Sequence, residues 1–391
     1  MQHLLSDINA LGSYQEVWSR VRRDIHRHPE LGFEEHRTAR IVAERLAAWG
    51  YEVSSGIGRT GVVGTMREGT GSKSIGLRAD MDALPILEQA THTHASVVPG
   101  CMHACGHDGH TAMLLGAAEY IAATRAFDGT LRLYFQPAEE RGSDGGAKAM
   151  LSDGLFDRFP CDVVYAMHTH PGLPVGMLLT RPGPFMSAFD KIVVRVQGKG
   201  GHAARPHLAV DPVVAVASIV MALQTVVSRN IDPLASAVLT VGVINAGTAS
   251  NVIPTSAMLE ISIRSFSTAA RQALCERIEA IAVLQARSYG AQAEVQVLPG
   301  CPVLVNGLEQ TQFAVDVARE LLGIDAVDAN ANLIMASEDF GFMLEQRPGC
   351  LLRIGNGLAS PMVHHPSYDF DDRSLPVGAG FWIRLVQRYL S

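Results

Sequence analysis

Apolar runs that stop at potential metal ligands recur along this chain. SIGLRADMD ends on Asp80 and Asp82, TLRLYFQPAEE on Glu139 and Glu140, and DVVYAMHTH on His168 and His170. Between the first two runs, MHACGHDGH packs His103, Cys105, His107, Asp108 and His110 into eight residues. A later run, CLLRIGNG, precedes His364-His365-Pro366. In an open α/β sheet, ligands gather off the carboxyl ends of the strands. The repeated pattern therefore points to a metal site, and to more than one ion.

Thiolate and imidazole suit zinc and similar divalent ions. Cys105 and His107 are two apart, a spacing that puts both on one side of an extended segment. Gly106 keeps that backbone adaptable, and Asp108 is placed to cap a following helix. Taken alone, C-x-H fits a buried thiol beside a hydrogen-bonded imidazole equally well. Adjacent Glu139 and Glu140 fit either a solvated acidic loop or a division of labour. In the second case one carboxylate holds metal and the other is a general base toward a polarised water. Pro137 sets the turn at that strand end. Asp80 and Asp82 read as a capped turn before Pro85, or as carboxylates that orient a ligand.

These residues need a frame. The chain has 391 residues, 47% hydrophobic and 18% charged, enough for two domains with sizeable cores. A net charge of −7 argues against a nucleic-acid partner. No 18-residue apolar run predicts a membrane span. MQHLLSDINALGSYQEVW reads as an amphipathic helix rather than a signal peptide. Six scattered cysteines look like reduced thiols, so a cytoplasmic setting is expected.

A second helix is expected at 34–49. Strands near 62–66, 74–79, 130–136 and 162–167 alternate with helices near 109–125 and 145–153. This predicts an α/β fold with a mainly parallel sheet and helices on both faces. After RPGPFMS the pattern becomes strand 189–197, helix 211–229, strands 236–245 and 256–264, helix 268–289 and strand 292–298. That βαββαβ order predicts a smaller α+β, ferredoxin-like domain. Helix 308–323, strand 350–355 and helix 375–390 then resume the first pattern. The expected division is a catalytic domain of 1–184 and 299–391, interrupted by an inserted domain of 185–298.

RADMDALP, MHACGHDGH, QPAEE, AMHTHP, GKGGHAARPH, NVIP, SEDF and HHPSYDFDD, in this order, resemble the amidohydrolase branch of the aminoacylase and carboxypeptidase-G type metallopeptidases. That branch includes hippurate hydrolases, N-acyl-amino-acid amidohydrolases, auxin-conjugate hydrolases and N-acetyl-diaminopimelate deacetylases. The resemblance covers nearly the whole chain. It departs from the peptidase branches, which carry His at the position of Asp80 and Asp near that of His107.

The resemblance implies a hydrolase of linear amide C–N bonds that acts on small N-acyl amino acids. A dipeptidase or carboxypeptidase of the same superfamily, or an N-acetyl-diaminopimelate deacetylase, is the alternative. Two divalent ions per subunit are implied, among Zn, Mn, Ni or Co. Their ligands would be Cys105, His107, Glu140, His168 and His364. Glu139 would be the general base and Asp82 the supporting carboxylate. The inserted domain would be a lid and the dimerisation surface of a homodimer. Its His202 would stabilise the transition state, in the partner's active site, while Asn251 and Arg264 would hold the substrate's polar groups. An Arg fork matches a carboxylate with two parallel hydrogen bonds.

Overall fold

The computed structural model describes residues 11–391. The first ten residues of the expected amphipathic start lie outside the described residues; beyond them the helix is Gln15–Arg27. The chain separates into two compact units. One reaches to Phe185 and resumes over Val305–Asn332 and Asp339–Ser391; the other comprises Met186–Leu304 and Leu333–Glu338.

The first unit is built on an eight-stranded sheet. Its strands lie in the order Glu52–Ile57, Gly61–Glu68, Gly129–Gln136, Ser74–Asp80, Val163–His170, Gly349–Gly355, Leu178–Leu179 and Val327–Asp328. The four central strands run parallel: Ser74–Asp80 pairs with Gly129–Gln136 and Val163–His170, and Gly349–Gly355 pairs with Val163–His170. Three junctions toward the edges are antiparallel. The mainly parallel α/β reading therefore holds at the centre, where strands read as continuous apolar runs buried on both faces.

Strand alternation assigns the two faces. Ile75, Leu77 and Ala79 join the main core with Met113 and Leu114 of helix His107–Thr124 and Trp382 of helix Leu375–Tyr389. Arg78 points the opposite way. It donates to Gln136 Oε1 at 2.9 Å and Asp339 Oδ1 at 3.1 Å, beneath Phe340 of helix Phe340–Leu344. Helices thus cover both faces. Each buried aliphatic side chain here contributes about 1.5–3 kcal/mol, and the three central parallel strands that start from this core carry acids or a histidine at or just beyond their ends.

The second unit is a four-stranded antiparallel sheet in the order Ala237–Ala246, Ser256–Ser265, Ala188–Gln197, Gln292–Pro299. With helices Pro212–Asn230 and Thr268–Ser288 it forms the βαββαβ unit read from the sequence. Ala257, Leu259, Ile261 and Ile263 alternate inward against Ile219, Leu223, Leu274 and Ile278. Both helices start on side-chain caps: Asp211 accepts from Val213 N and Ser267 from Ala270 N. Helix Pro212–Asn230 is long and apolar enough by composition to cross a membrane. It buries Val216, Ile219, Leu223 and Val226 at helical spacing against this sheet.

Candidate metal centre

Cys105 lies in a turn and His107 opens helix His107–Thr124, so the segment between them is not extended as the spacing suggested. Gly106 at φ 84° makes the corner, and a Cβ there would lie 2.6 Å from the Tyr368 hydroxyl oxygen. Asp108 does not cap this helix, which has no side-chain cap. Its carboxylate instead accepts from His26 Nδ1 at 2.9 Å and Arg22 Nη1 at 3.3 Å. Burial makes that ionic partnership decisive: an unpaired carboxylate inside the core would cost several kcal/mol.

Around this corner the structure brings together the five ligand candidates. Ligand atoms of Cys105, His107 and His168 lie within 4.8 Å of one another, and so do those of Cys105, Glu140 and His364. Cys105 belongs to both groups. Its Sγ is 3.4 Å from His168 Nε2, and Glu140 Oε1 is 3.1 Å from His364 Nε2. Buried His107 Nε2 has no hydrogen-bond partner. An orphaned buried ring nitrogen beside a thiol, a carboxylate and further imidazoles fits a pair of borderline divalent cations.

Four of the five ligand candidates are held from behind. His107 Nδ1 donates to Asp82 Oδ1 at 3.0 Å and to Asp82 O at 2.9 Å. The other oxygen of Asp82 accepts from Glu140 N at 3.0 Å. His168 Nδ1 donates to Thr169 O at 2.8 Å, which turns Nε2 toward Cys105. Such partners fix the tautomer and aim the free nitrogen. His364 N donates to Ala104 O at 2.7 Å, and its φ of 67° is rare for a residue with a side chain.

Glu139 is buried and separate. Its Oε2 is 4.0 Å from His107 Nε2, and its Oε1 accepts from Asp339 N at 3.5 Å. The turn before it passes through Ala138 at φ 48°, whose N–H donates to Glu35 Oε1 at 2.7 Å. Glu35 is itself buried and accepts from Thr60 Oγ1 at 2.5 Å. Two non-glycine residues with left-handed backbone thus flank the centre, where strain of about 1–3 kcal/mol each is held by the surrounding bonds.

The electrostatics favour cations. Burial pushes the Cys105 thiol up to about 12, and Glu140 adds to the rise. Burial disfavours a charged His107, yet Asp80 and Cys105 outweigh it and hold the imidazole well above its usual range. The negative charge of Asp80 that holds the proton on His107 acts equally on a cation bound there. His168 is driven well below the usual imidazole range by burial and by Arg353, so its Nε2 lone pair is available.

Asp80 takes a supporting place. It accepts from Arg78 Nη1 at 2.7 Å and from His110 Nδ1 at 2.6 Å, while His110 Nε2 accepts from Thr169 N at 2.9 Å. With both ring nitrogens engaged, His110 holds the neighbouring strand end. His170 is half-buried and depressed to about 4 by burial and Arg353; its carbonyl accepts from Asn356 N. Arg353, Glu35 and Asp339 were not singled out by the sequence. A lone Arg inside the apolar run CLLRIGNG was a signal for the first, and Asp339 lies in the SEDF motif, which was given no role; Glu35 offered none.

The second unit holds the other three candidates. His202 pairs across a short ladder with Val252, and its Nδ1 accepts from Ala204 N at 3.0 Å. Asn251 O accepts from Ala203 N, and the side chains of His202 and Asn251 line one depression. Arg264 Nη1 donates to Met335 O at 3.0 Å, over the Phe189 ring.

Residues 76–388 match the family described as peptidase family M20/M25/M40. The hippurate hydrolase of Campylobacter jejuni is 42% identical over 96% of this chain and 97% of its own length. The N-acetylcysteine deacetylase of Bacillus subtilis is 38% identical over 94% of this chain and 95% of its own. Among solved structures, a dinuclear metal-binding peptidase of the M20 family from Bacillus subtilis superposes with a TM-score of 0.83. It is 32% identical and covers 97% of this chain and 99% of its own.

Proposed function

The chain belongs to peptidase family M20/M25/M40, and we infer that it is a metal-dependent amidohydrolase that cleaves the N-acyl bond of N-acyl amino acids. The observation that carries this reading is the pair of ligand groups sharing Cys105, with Glu139 beside them and directed elsewhere than Glu140. The hippurate hydrolase and deacetylase relatives support the substrate class.

Cys105, His107, Glu140, His168 and His364 would hold two divalent ions. When bound, these would polarise a water and the scissile carbonyl, lowering the water's pKa from about 15.7 toward 7. Glu139 takes the proton of the attacking water at its carboxylate and returns it to the leaving nitrogen, general catalysis worth roughly 10²–10⁴-fold. Asp82 keeps His107 in the Nδ1–H tautomer, so that Nε2 stays a donor of electrons rather than of a proton. Arg264 would bind the substrate's carboxylate, with Asn251 on a polar group. His202 would stabilise the oxyanion from the lid of a partner subunit in a homodimer.

The test is a panel of N-acetyl and N-benzoyl amino acids set against free dipeptides, on protein of measured metal content, with Glu139→Gln as control. Hydrolysis of the N-acyl substrates is expected, and E139Q should keep its metal and its fold while losing at least 10²-fold in kcat. Preference for dipeptides, or near-native turnover in E139Q, overturns the assignment.

A further inference from the structure

The first unit carries a second set of metal-ligating side chains, separate from the centre described above. Ligand atoms of His26, Glu88 and His92 lie within 4.8 Å of one another, and those of His92, His94 and Asp369 do likewise. We propose that His26, Glu88 and His92, with Asp369 alongside, form a further divalent-cation site of the Zn²⁺ or Co²⁺ type.

The spacing is that of a coordination shell. Glu88 Oε1 accepts a hydrogen bond from His26 Nε2 at 3.2 Å, the bond a bound ion would replace, and is 3.2 Å from His92 Nε2. Ligands at zinc distances of about 2.0–2.1 Å on a tetrahedron stand about 3.3 Å apart. Asp369 Oδ2 is 3.7 Å from His92 Nε2, near enough for the remaining position. Although His92 stands this close to two carboxylates, neither of its ring nitrogens is hydrogen-bonded. Its ring stacks on His94 at 3.7 Å, an orientation that serves neither carboxylate as a hydrogen-bond donor.

The surroundings match a metal site as well. His26 Nδ1 donates to buried Asp108, the carboxylate–imidazole arrangement that aims the other nitrogen at a metal. Glu88 is held by Ser96 N on its second oxygen at 2.6 Å, which leaves Oε1 for the histidines. His103, fully inside the protein, has no hydrogen-bond partner on either ring nitrogen, and its ring centre is 6.2 Å from that of His26. Charge points the same way. Asp108, Asp369, Asp372 and Glu88 are joined here to the guanidiniums of Arg22 and Arg23 and to His26. Four carboxylates against two guanidiniums and a protonated His26 leave one negative charge in excess; a divalent ion that displaces the His26 proton brings the cluster to neutrality. Arg22 Nη2 lies 3.2 Å from His94 Nε2, and Asp369 Oδ2 lies 3.0 Å from it, so His94 serves the arginine and Asp369 rather than the ion.

The proposal is tested by counting ions. The full chain is equilibrated with Zn²⁺ or Co²⁺, dialysed, and its metal content measured by mass spectrometry. Three ions per chain are expected, falling to two in His92→Phe and in Glu88→Gln. In a chain with Cys105→Ala and Glu140→Ala, one ion should remain. Its Co²⁺ spectrum should lack a thiolate band, and adding His92→Phe should remove it. Circular dichroism shows that each variant is folded. An unchanged metal content in folded H92F and E88Q overturns the site. So does a folded C105A/E140A chain that retains nothing, or one whose ion washes out at micromolar metal as an adventitious ion only.

Discussion

Asp82→Asn isolates what one carboxylate does for the candidate dinuclear centre. Asp82 uses its two oxygens differently: one accepts from His107 Nδ1 at 3.0 Å and the other from Glu140 N at 3.0 Å. Both partners are N–H donors, and an amide has one acceptor end. Whichever way the substituted amide faces, its NH₂ meets a donor. The orientation with its oxygen toward Glu140 N is the better one, because His107 Nδ1 retains the backbone carbonyl of position 82 as a second acceptor at 2.9 Å. The variant therefore loses one hydrogen bond to a charged group, about 1.5–3 kcal/mol, and the aim of His107 Nε2 loosens. Affinity for divalent ions should fall about 10–100-fold, while turnover at saturating metal stays within about tenfold of native. Competition against a chromophoric chelator measures the first quantity, and N-acyl amino acid hydrolysis at rising metal concentration measures the second. Native metal affinity in D82N would show that the carboxylate does not orient His107. Full metal affinity with lost turnover would move Asp82 into the chemistry itself.

Further outcomes follow from the same geometry. Removal of metal by chelation should abolish hydrolysis and lower the melting temperature, since an ion at 100 times its Kd stabilises by about 2.7 kcal/mol; calorimetry with and without chelator checks this. Gly146→Ala should be damaging, because a Cβ there would lie 1.6 Å from Pro137 O, in the backbone just before Glu139. Overpacking of this kind costs about 1–3 kcal/mol or more, and reduced metal retention together with denaturant unfolding would register it. His26 and Arg22 hold the Asp108 carboxyl well below its usual range against the opposing effect of burial. The folded protein therefore keeps Asp108 ionised where the unfolded chain protonates it. Its contribution is present above about pH 4 and is lost as pH falls further. Acid unfolding of Asp108→Asn should be less steep below pH 4, from a neutral-pH stability already about 3–5 kcal/mol lower; an unchanged acid limb would refute the pairing.

How far the sequence could be read depended on whether a residue's role was local. The central strands were legible because they are buried on both faces and read as apolar runs. The half-exposed edge strand Glu52–Ile57 has no such run, and neither do the two-residue strands Leu178–Leu179 and Val327–Asp328, so the antiparallel flanks stayed hidden. Helix Thr268–Ser288 was bounded to within a residue, and its start coincides with the Ser267 side-chain cap. Cys105, His107, Glu140 and His168 stood out as polar atoms at the ends of apolar segments. The bonds that orient them span far larger separations: Arg353 reaches Thr169 O, and Glu35 reaches Ala138 N. No local spacing encodes such pairs. Asp108 shows the opposite error. Its position at a helix start matched a cap, but burial beside Arg22 and His26 offered a stronger partner than a backbone N–H.

The first turn of helix His107–Thr124 explains why these assignments cluster. His107 faces the candidate dinuclear centre, Asp108 faces the histidines around Glu88, and His110 faces Asp80. Successive residues on a helix leave it in different directions, about 100° apart, so one turn can serve three neighbours only if its backbone is held. Gly109 allows that: its position lies against the Phe370 ring, where a Cβ would sit 2.3 Å from the nearest carbon. Thr111 donates to Asp80 O at 2.8 Å and pins the helix to the strand end. Asp108 also places negative charge at a helix N-terminus, where the backbone dipole is positive. That dipole would otherwise oppose a cation beside His107. A candidate metal ligand in the first turn is therefore tolerable here because the next residue offsets the helix's own field, and the same carboxylate orients His26. Loss of Asp108 should consequently weaken divalent-ion retention at His107 as well as at His26. Metal titration of D108N in the C105A/E140A chain, which keeps only the His26 site, and in the H92F chain, which keeps only the His107 centre, separates the two effects: loss in only one of the chains would mean that Asp108 serves a single site.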